Sequence, residues 1–238
     1  MLHGWGLHGG VWAPLAEKLA AHFTLHLVDL PGHGHSRDQA WRDLDGIARD
    51  VAAHLPREYS LAGWSLGGQV AMRIALHAPP RKLVLIGTTP CFVQRADWHA
   101  AMRPEVLADF AQKLATNYRA TLNSFLALQV LHDSAARAAL RELTRTLFLR
   151  GEPHPDVLGE GLDLLGDTDL RPDMTRIAAP TLVLHGDRDA LTPVGAGRWL
   201  GQHIERAKYV EVEDAAHAPF LSHRDTVADA MTRFLKAT

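Results

Sequence analysis

Short, almost unbroken apolar runs recur along this chain with helical patterns between them, and that alternation restricts the fold more than any other feature. The runs lie at Thr24–Leu30, Tyr59–Ala62, Lys82–Gly87, Pro180–His185 and Ala207–Val212. A strand that is apolar along its whole length must be covered on both faces, as happens in parallel sheets flanked by helices. The intervening segments Val11–Ala21, Leu44–Leu55, Gly68–His77, Gly195–Ile204 and Arg224–Lys236 place apolar residues three and four apart, the spacing of a helix packed on a sheet. Strand and helix in alternation predict an α/β fold with a mostly parallel sheet.

The alternation stops between about Phe92 and Asp169. Trp98–Ala115, Arg119–Asp133, Ala135–Arg150 and Pro155–Leu165 read as helices with no strand between them. The segment is too long and too apolar for an ordinary loop, so it is expected to fold as a helical cap over the sheet. The predicted division is a core of residues 1–92 and 169–238 and a cap of residues 93–168. A hydrophobic content of 47% supplies enough apolar surface for a substantial core.

Charge excludes some partners. Lys and Arg total 25 against 27 Asp and Glu, so no whole-protein field would draw in nucleic acid or an anionic membrane. No apolar stretch approaches the roughly 20 residues of a membrane-spanning helix, and the amino terminus lacks the pattern of a secretory signal. Cys91 is the single cysteine and has no internal disulfide partner. These features predict a cytoplasmic protein, expected to be a monomer, with Cys91 as a packed thiol.

The chemistry is concentrated in Gly63-Trp64-Ser65-Leu66-Gly67-Gly68, which follows a strand-like run and opens a helical one. This is a G-x-S-x-G nucleophile elbow in the strand-turn-helix setting that it needs. Small residues flank Ser65 because the turn is sharp, and the helix that follows directs its free amides at the site, so Leu66 can stabilise an oxyanion. A serine hydroxyl needs a base, and in chains with this elbow an acid and then a histidine follow. The loop after Thr181–Leu184 offers Asp187 and Asp189, and either can serve. The loop after the last predicted strand offers His217, set among small residues, whereas His223 starts the final helix and suits a capping role. The second oxyanion donor is expected from His3-Gly4-Trp5-Gly6, through the Trp5 amide, with the indole as part of an acyl pocket wall. Asp29-Leu30-Pro31-Gly32-His33-Gly34-His35-Ser36 reads as a structural turn. His33 and His35 lack the spaced partners of a zinc site, and no dinucleotide fingerprint is present, so no metal and no cofactor are expected.

Taken together, His3–Leu7, Phe23–Gly32, Gly63–Gly68, Pro90–Phe92, Phe125–Gln129 and Ala215–Phe220 resemble the pimeloyl-acyl carrier protein methyl ester esterases of biotin synthesis, carboxylesterases of the α/β-hydrolase fold. The resemblance runs nearly end to end, and the Phe125–Gln129 segment together with the Trp64-bearing elbow is its most specific part. It implies hydrolysis of the methyl ester at the far end of a carrier-bound pimeloyl chain. It implies Asp189 as the acid, four residues before Pro193, with Asp187 left to brace the turn. It implies that Trp5, Ser65, Leu66, Phe125, Leu126, Ala127, Leu128, Gln129 and His217 line the substrate. Arg137 and Arg141 match two of the cap arginines that hold the acidic acyl carrier protein; one helical turn apart, they share a face. Ala120 and Ser124 stand where the other two would be. Similar enzymes also begin with a hairpin and a buried strand ahead of the His-Gly-Trp loop, so amino-terminal strands are expected to be missing from the sheet. The same triad serves lactone and carbon-carbon hydrolysis and broad short-chain esterases, and a non-catalytic ligand-binding protein can keep this fold. A serine at position 65 disfavours a haloalkane dehalogenase, whose nucleophile is a carboxylate.

Overall fold

The computed structural model describes residues 1–237. Its sheet has four strands, β1 (Leu61–Trp64), β2 (Leu83–Ile86), β3 (Thr181–Gly186) and β4 (Ala207–Val212), all parallel and in the spatial order β1-β2-β3-β4. Leu61, Leu83, Thr181 and Ala207 are in register, so the strands start level. Every residue of β1 to β3 is buried, which accounts for their unbroken apolarity, whereas β4 lies at the edge and carries the exposed Lys208 and Glu211.

In chain order the helices are α1 (Ala13–Leu19), α2 (Leu44–Ala52), α3 (Leu66–His77), α4 (Pro104–Thr116), α5 (Tyr118–Leu128), α6 (Ala136–Leu147), α7 (Pro155–Asp167), α8 (Val194–His203), α9 (Pro219–Ser222) and α10 (Arg224–Lys236). Alternate strand side chains feed two cores. Val84, Ile86, Leu182 and Leu184 pack with Leu15 and Leu19 of α1 and Val227 and Met231 of α10. Leu83, Leu85 and Val183 pack with Ile47 of α2, Val70 and Ile74 of α3 and Leu200 of α8. Each fully buried aliphatic side chain of this kind contributes about 1.5–3 kcal/mol. Helices therefore cover both faces, as the alternating pattern predicts.

All four helices α4 to α7 fall between β2 and β3, in the segment expected to be helical. The helix expected from Trp98 begins only at Pro104, which follows an extended Arg103. Before it, the chain doubles back through single bridges, Val93 with Met102 and Arg95 with Trp98. Asn117 separates α4 from α5 and accepts the Ala120 amide on its side chain at 3.2 Å.

One expected strand is not formed. Within Thr24–Leu30 only Val28 makes a bridge, to Leu2, and Leu2 in turn bridges Gly63 of β1. Met1 and Leu2 thus join the 24–28 segment to the sheet: Met1 donates to the His26 carbonyl and accepts the Val28 amide, and Leu2 donates to the Ala62 carbonyl and accepts the Trp64 amide. Below them lies a cavity of about 1010 Å³ bordered by Met1, Phe23, Leu25, Tyr59 and Ala62. A ladder extends only where consecutive residues find partners, so the apolar run stays extended without becoming a strand.

Candidate active site

Ser65 joins the end of β1 to the start of α3 at φ 55° and ψ −121°, a left-handed conformation that a non-glycine residue holds only at a cost of about 1–3 kcal/mol. The surroundings enforce it. The Ser65 amide continues the ladder by donating to the Ile86 carbonyl at 3.1 Å, and its carbonyl accepts the Thr88 hydroxyl at 2.7 Å and the Gly68 amide at 2.9 Å. A Cβ on Gly63 would overlap the Gly67 carbonyl across the turn. Because the obstacle is backbone, Gly63→Ala is expected to destabilise the fold by about 3 kcal/mol, lowering the thermal midpoint by about 6–12 °C in a circular dichroism melt.

His217 lies in the loop after β4, buried, and its Nδ1 donates to Asp189 Oδ2 at 2.8 Å. Its carbonyl accepts the indole N–H of Trp64, the residue before Ser65, at 2.8 Å, and its amide donates to the Gln129 carbonyl at 3.0 Å. Asp189 follows β3 with a fully buried carboxylate. Burial pushes its pKa up, but electrostatic attraction to His217 and hydrogen bonds from His185 and His217 outweigh burial and hold it well below the ordinary carboxylate range. An ionised Asp189 is an acceptor only, so His217 carries its proton on Nδ1 and leaves Nε2 free to accept one. The Ser65 hydroxyl is not hydrogen-bonded to Nε2 in this structure; His217 spends its side-chain contacts on Nδ1, toward Asp189 and Thr192. Such bonds often tighten only with substrate present. Ser65, Asp189 and His217 come from the carboxyl ends of β1, β3 and β4, the end of a parallel sheet where sites gather.

Leu66 opens α3, so its amide has no earlier carbonyl within the helix. The Gly4 backbone packs on the elbow: a Cβ built there would lie 3.2 Å from that of Ser65. His3, unassigned by sequence reasoning, orients this loop. Its Nδ1 donates to the Gly4 carbonyl at 2.8 Å and its Nε2 accepts the Leu30 amide at 2.9 Å. Burial lowers its pKa to about 3, keeping the ring neutral for both roles. With the Gly4 carbonyl tied back, the Trp5 N–H of the same trans peptide points the opposite way. The available signal was a histidine directly before Gly4-Trp5.

The Trp5 indole donates to the Leu158 carbonyl of α7 at 2.9 Å and meets Phe110 and Phe125 edge-on. With Phe92, Leu128 and Leu162 these rings border a narrow cavity of about 40 Å³ lined by apolar residues. Of the segment expected to line substrate, Phe125 and Leu128 reach this cavity. Leu126 turns into the core and Ala127 to solvent, because the segment is helical and only every third or fourth residue shares a face. Gln129 is buried, with both side-chain polar atoms unpartnered. The turn between α5 and α6 grips the histidine loop: Asp133 Oδ2 accepts the Ala216 amide at 2.9 Å and the Asp214 carbonyl accepts the Ser134 amide at 3.0 Å.

Asp187 does not brace the turn through its carboxylate, one oxygen of which is buried without a partner; its amide donates to the Val212 carbonyl at 3.2 Å. The turn is held by Asp189 itself, whose Oδ1 accepts the Leu191 and Thr192 amides at 2.9 Å each. Arg137 and Arg141 are exposed on α6, and among the described residues neither is in an ion pair. Cys91 is buried, its thiol donating to the Val93 carbonyl at 3.2 Å, and burial raises its pKa. Asp29 accepts the Gly9 amide at 2.6 Å, the His35 amide at 2.7 Å and Arg150 at 2.8 Å, a structural turn. Among the described residues no helix is long and apolar enough to cross a membrane.

The model of the Alpha/beta hydrolase family matches residues 1–230. A pimeloyl-[acyl-carrier protein] methyl ester esterase of Nitrosomonas europaea is 48% identical over 225 residues, covering 93% of this chain and 89% of the relative. One from Xanthomonas axonopodis is 45% identical over 237 residues, covering 99% and 93%. Among solved structures, an esterase from Exiguobacterium antarcticum superposes with a TM-score of 0.86 at 20% identity, over 100% of this chain and 91% of that one. A bromoperoxidase from Bacillus anthracis superposes at 0.88 and 22% identity, over 99% and 90%; both show the fold alone. On the family match and these relatives, the chain belongs to the alpha/beta hydrolase family, in the group of the pimeloyl-[acyl-carrier protein] methyl ester esterases.

Proposed function

We propose that the chain is a serine carboxylesterase that hydrolyses the methyl ester of pimeloyl-acyl carrier protein, releasing methanol and a free carboxylate. The observation that carries this reading is the buried pairing of His217 with Asp189 at the elbow's end of the sheet, in a chain close to half identical to esterases of that name. Ser65 attacks the ester carbonyl while His217 Nε2 takes its proton. Asp189 stabilises the imidazolium, and the Trp5 and Leu66 amides hold the tetrahedral oxyanion. The imidazolium then protonates the departing methoxide. Water, deprotonated by His217, releases the acyl group from Ser65. Residues 93–168 serve as the cap over a core of 1–92 and 169–238, with Trp5, Phe125 and Leu128 against the acyl chain. The protein acts in the cytoplasm as a monomer, meeting the carrier transiently.

The test is release of methanol from the carrier-bound ester by the purified protein, together with relief of biotin dependence in a bacterium lacking this esterase. Activity confined to lactones or diketones overturns the substrate assignment. The carrier is acidic and Arg137 and Arg141 present unpaired positive charge on one helix face. Arg137→Glu with Arg141→Glu is therefore expected to raise KM for the carrier-bound ester about tenfold while leaving turnover of dimethyl pimelate unchanged, and the difference should shrink at high salt.

A further inference from the structure

We propose that Thr192 is a positioning residue that sets how strongly Asp189 holds the His217 imidazole. The inference rests on the roles given to Asp189 and His217 above. The Thr192 hydroxyl lies 2.7 Å from Asp189 Oδ2, the same oxygen that accepts His217 Nδ1 at 2.8 Å, and 3.3 Å from Nδ1 itself. Its other contacts are the Gly87 carbonyl at 3.2 Å and His185 Nε2 at 3.4 Å. A hydroxyl has one proton, and the ionised carboxylate at the shortest distance takes it. Asp189 Oδ2 thus takes its two shortest contacts from the imidazole and the hydroxyl, with His185 Nε2 farther off at 3.3 Å, while Oδ1 is saturated by two backbone amides. Thr192 cannot swing away, because its amide is one of those two, its carbonyl is 2.6 Å from His185 Nε2 and its side chain is buried.

Sharing has a consequence with a definite sign. A donor on Oδ2 disperses carboxylate charge that would otherwise stabilise the imidazolium, so it favours the neutral, proton-accepting His217. Removing the hydroxyl concentrates that charge on His217 and moves its titration upward. The other ionisable group on Asp189 is His185 of β3, whose Nε2 lies 3.3 Å from Oδ2 and 2.6 Å from the Thr192 carbonyl and whose Nδ1 is buried without a partner. On the same loop, Arg188 is turned outward to Asp214, and the Asp187 carboxylate makes no bond to His217. From the turn between α5 and α6, Asp133 accepts the Ala216 amide beside His217 and the Ala135 amide, and makes no bond to the His217 ring.

The experiment is an NMR titration of the His217 ring in wild type, Thr192→Val, Thr192→Ala and Thr192→Ser, with His217→Gln identifying the resonance, followed by the pH profile of kcat/KM on a short-chain ester. The two hydroxyl-free variants are expected to raise the His217 midpoint and the acidic limb together by about half a unit to one unit, with Thr192→Ser staying near wild type. A midpoint that does not move in whichever of the Val and Ala variants folds, or a serine variant that shifts as far as they do, overturns the proposal. The NMR reading needs no turnover, so its failure is distinct from a failure of the esterase reading.

Discussion

The Ser65→Ala protein is expected to fold as wild type does, to lose ester hydrolysis by about 10⁶-fold in kcat, and to escape labelling by a fluorophosphonate that modifies the wild type. Both halves follow from how little else the hydroxyl does. The turn is held by the Ser65 amide on the Ile86 carbonyl and by its own carbonyl under Thr88 and Gly68, and alanine keeps all three bonds. Alanine carries the same Cβ into the same left-handed conformation, so the strain at φ 55° is unchanged. The thermal midpoint should therefore stay within the small range of a substitution that breaks no contact, about 0.5 kcal/mol. What disappears is the nucleophile, for which the oxyanion donors and the binding cavity do not substitute. Residual turnover within about tenfold of wild type in a homogeneous preparation would mean that another group attacks the ester, and the elbow would lose its assigned role.

Asp189→Asn is expected to cut kcat by about 10⁴-fold with KM little changed, and the cause lies in hydrogen-bond direction. Oδ1 of residue 189 faces two amide donors, Leu191 and Thr192, at 2.9 Å, so the oxygen of an asparagine must stay there. Its NH₂ is then turned to His217 Nδ1 and the Thr192 hydroxyl. A donor at that place forces the imidazole to accept at Nδ1 and to carry its proton on Nε2, the wrong tautomer for taking a proton from Ser65. The same variant reports on stability. The folded-state pKa of Asp189 is depressed below the ordinary 3.8, so the carboxylate stabilises the fold at and above mildly acidic pH, and that contribution is lost as pH falls through the folded value. The gap in thermal midpoint between wild type and Asp189→Asn should accordingly hold steady above about pH 5 and narrow as pH is lowered from there toward about 2. A gap that is constant over that range would assign the loss to packing instead of charge.

Much of the framework was legible in the chain itself. The runs of β1 to β3 are legible because strands buried on both faces are apolar along their whole length, whereas β4, at the edge, keeps Lys208 and Glu211 exposed. The elbow was legible because a turn this tight excludes side chains, which leaves glycines at fixed offsets from Ser65. Four helices do lie between β2 and β3. The failures are equally specific. Thr24–Leu30 has a strand's composition, but a strand is a property of pairs, and only Leu2 pairs there with Val28. Phe125–Gln129 is contiguous in the chain, yet helical rotation turns Leu126 into the core and Ala127 to solvent while Phe125 and Leu128 border the apolar cavity.

By itself the sequence determined what is local: the order of strands and helices, the position of the elbow, and the small-residue loop that carries His217. These are written in spacing and residue size because backbone geometry demands them over a few neighbouring residues. Only the tertiary structure decided which carboxylate meets His217, that Thr192 shares its oxygen, and that His3 ties back the Gly4 carbonyl. Asp187 and Asp189 sit two residues apart on one loop with the same chemistry, and the direction in which that loop turns over the sheet distinguishes them. Such choices depend on contacts between segments far apart in the chain, whose mutual orientation no run of neighbouring residues encodes.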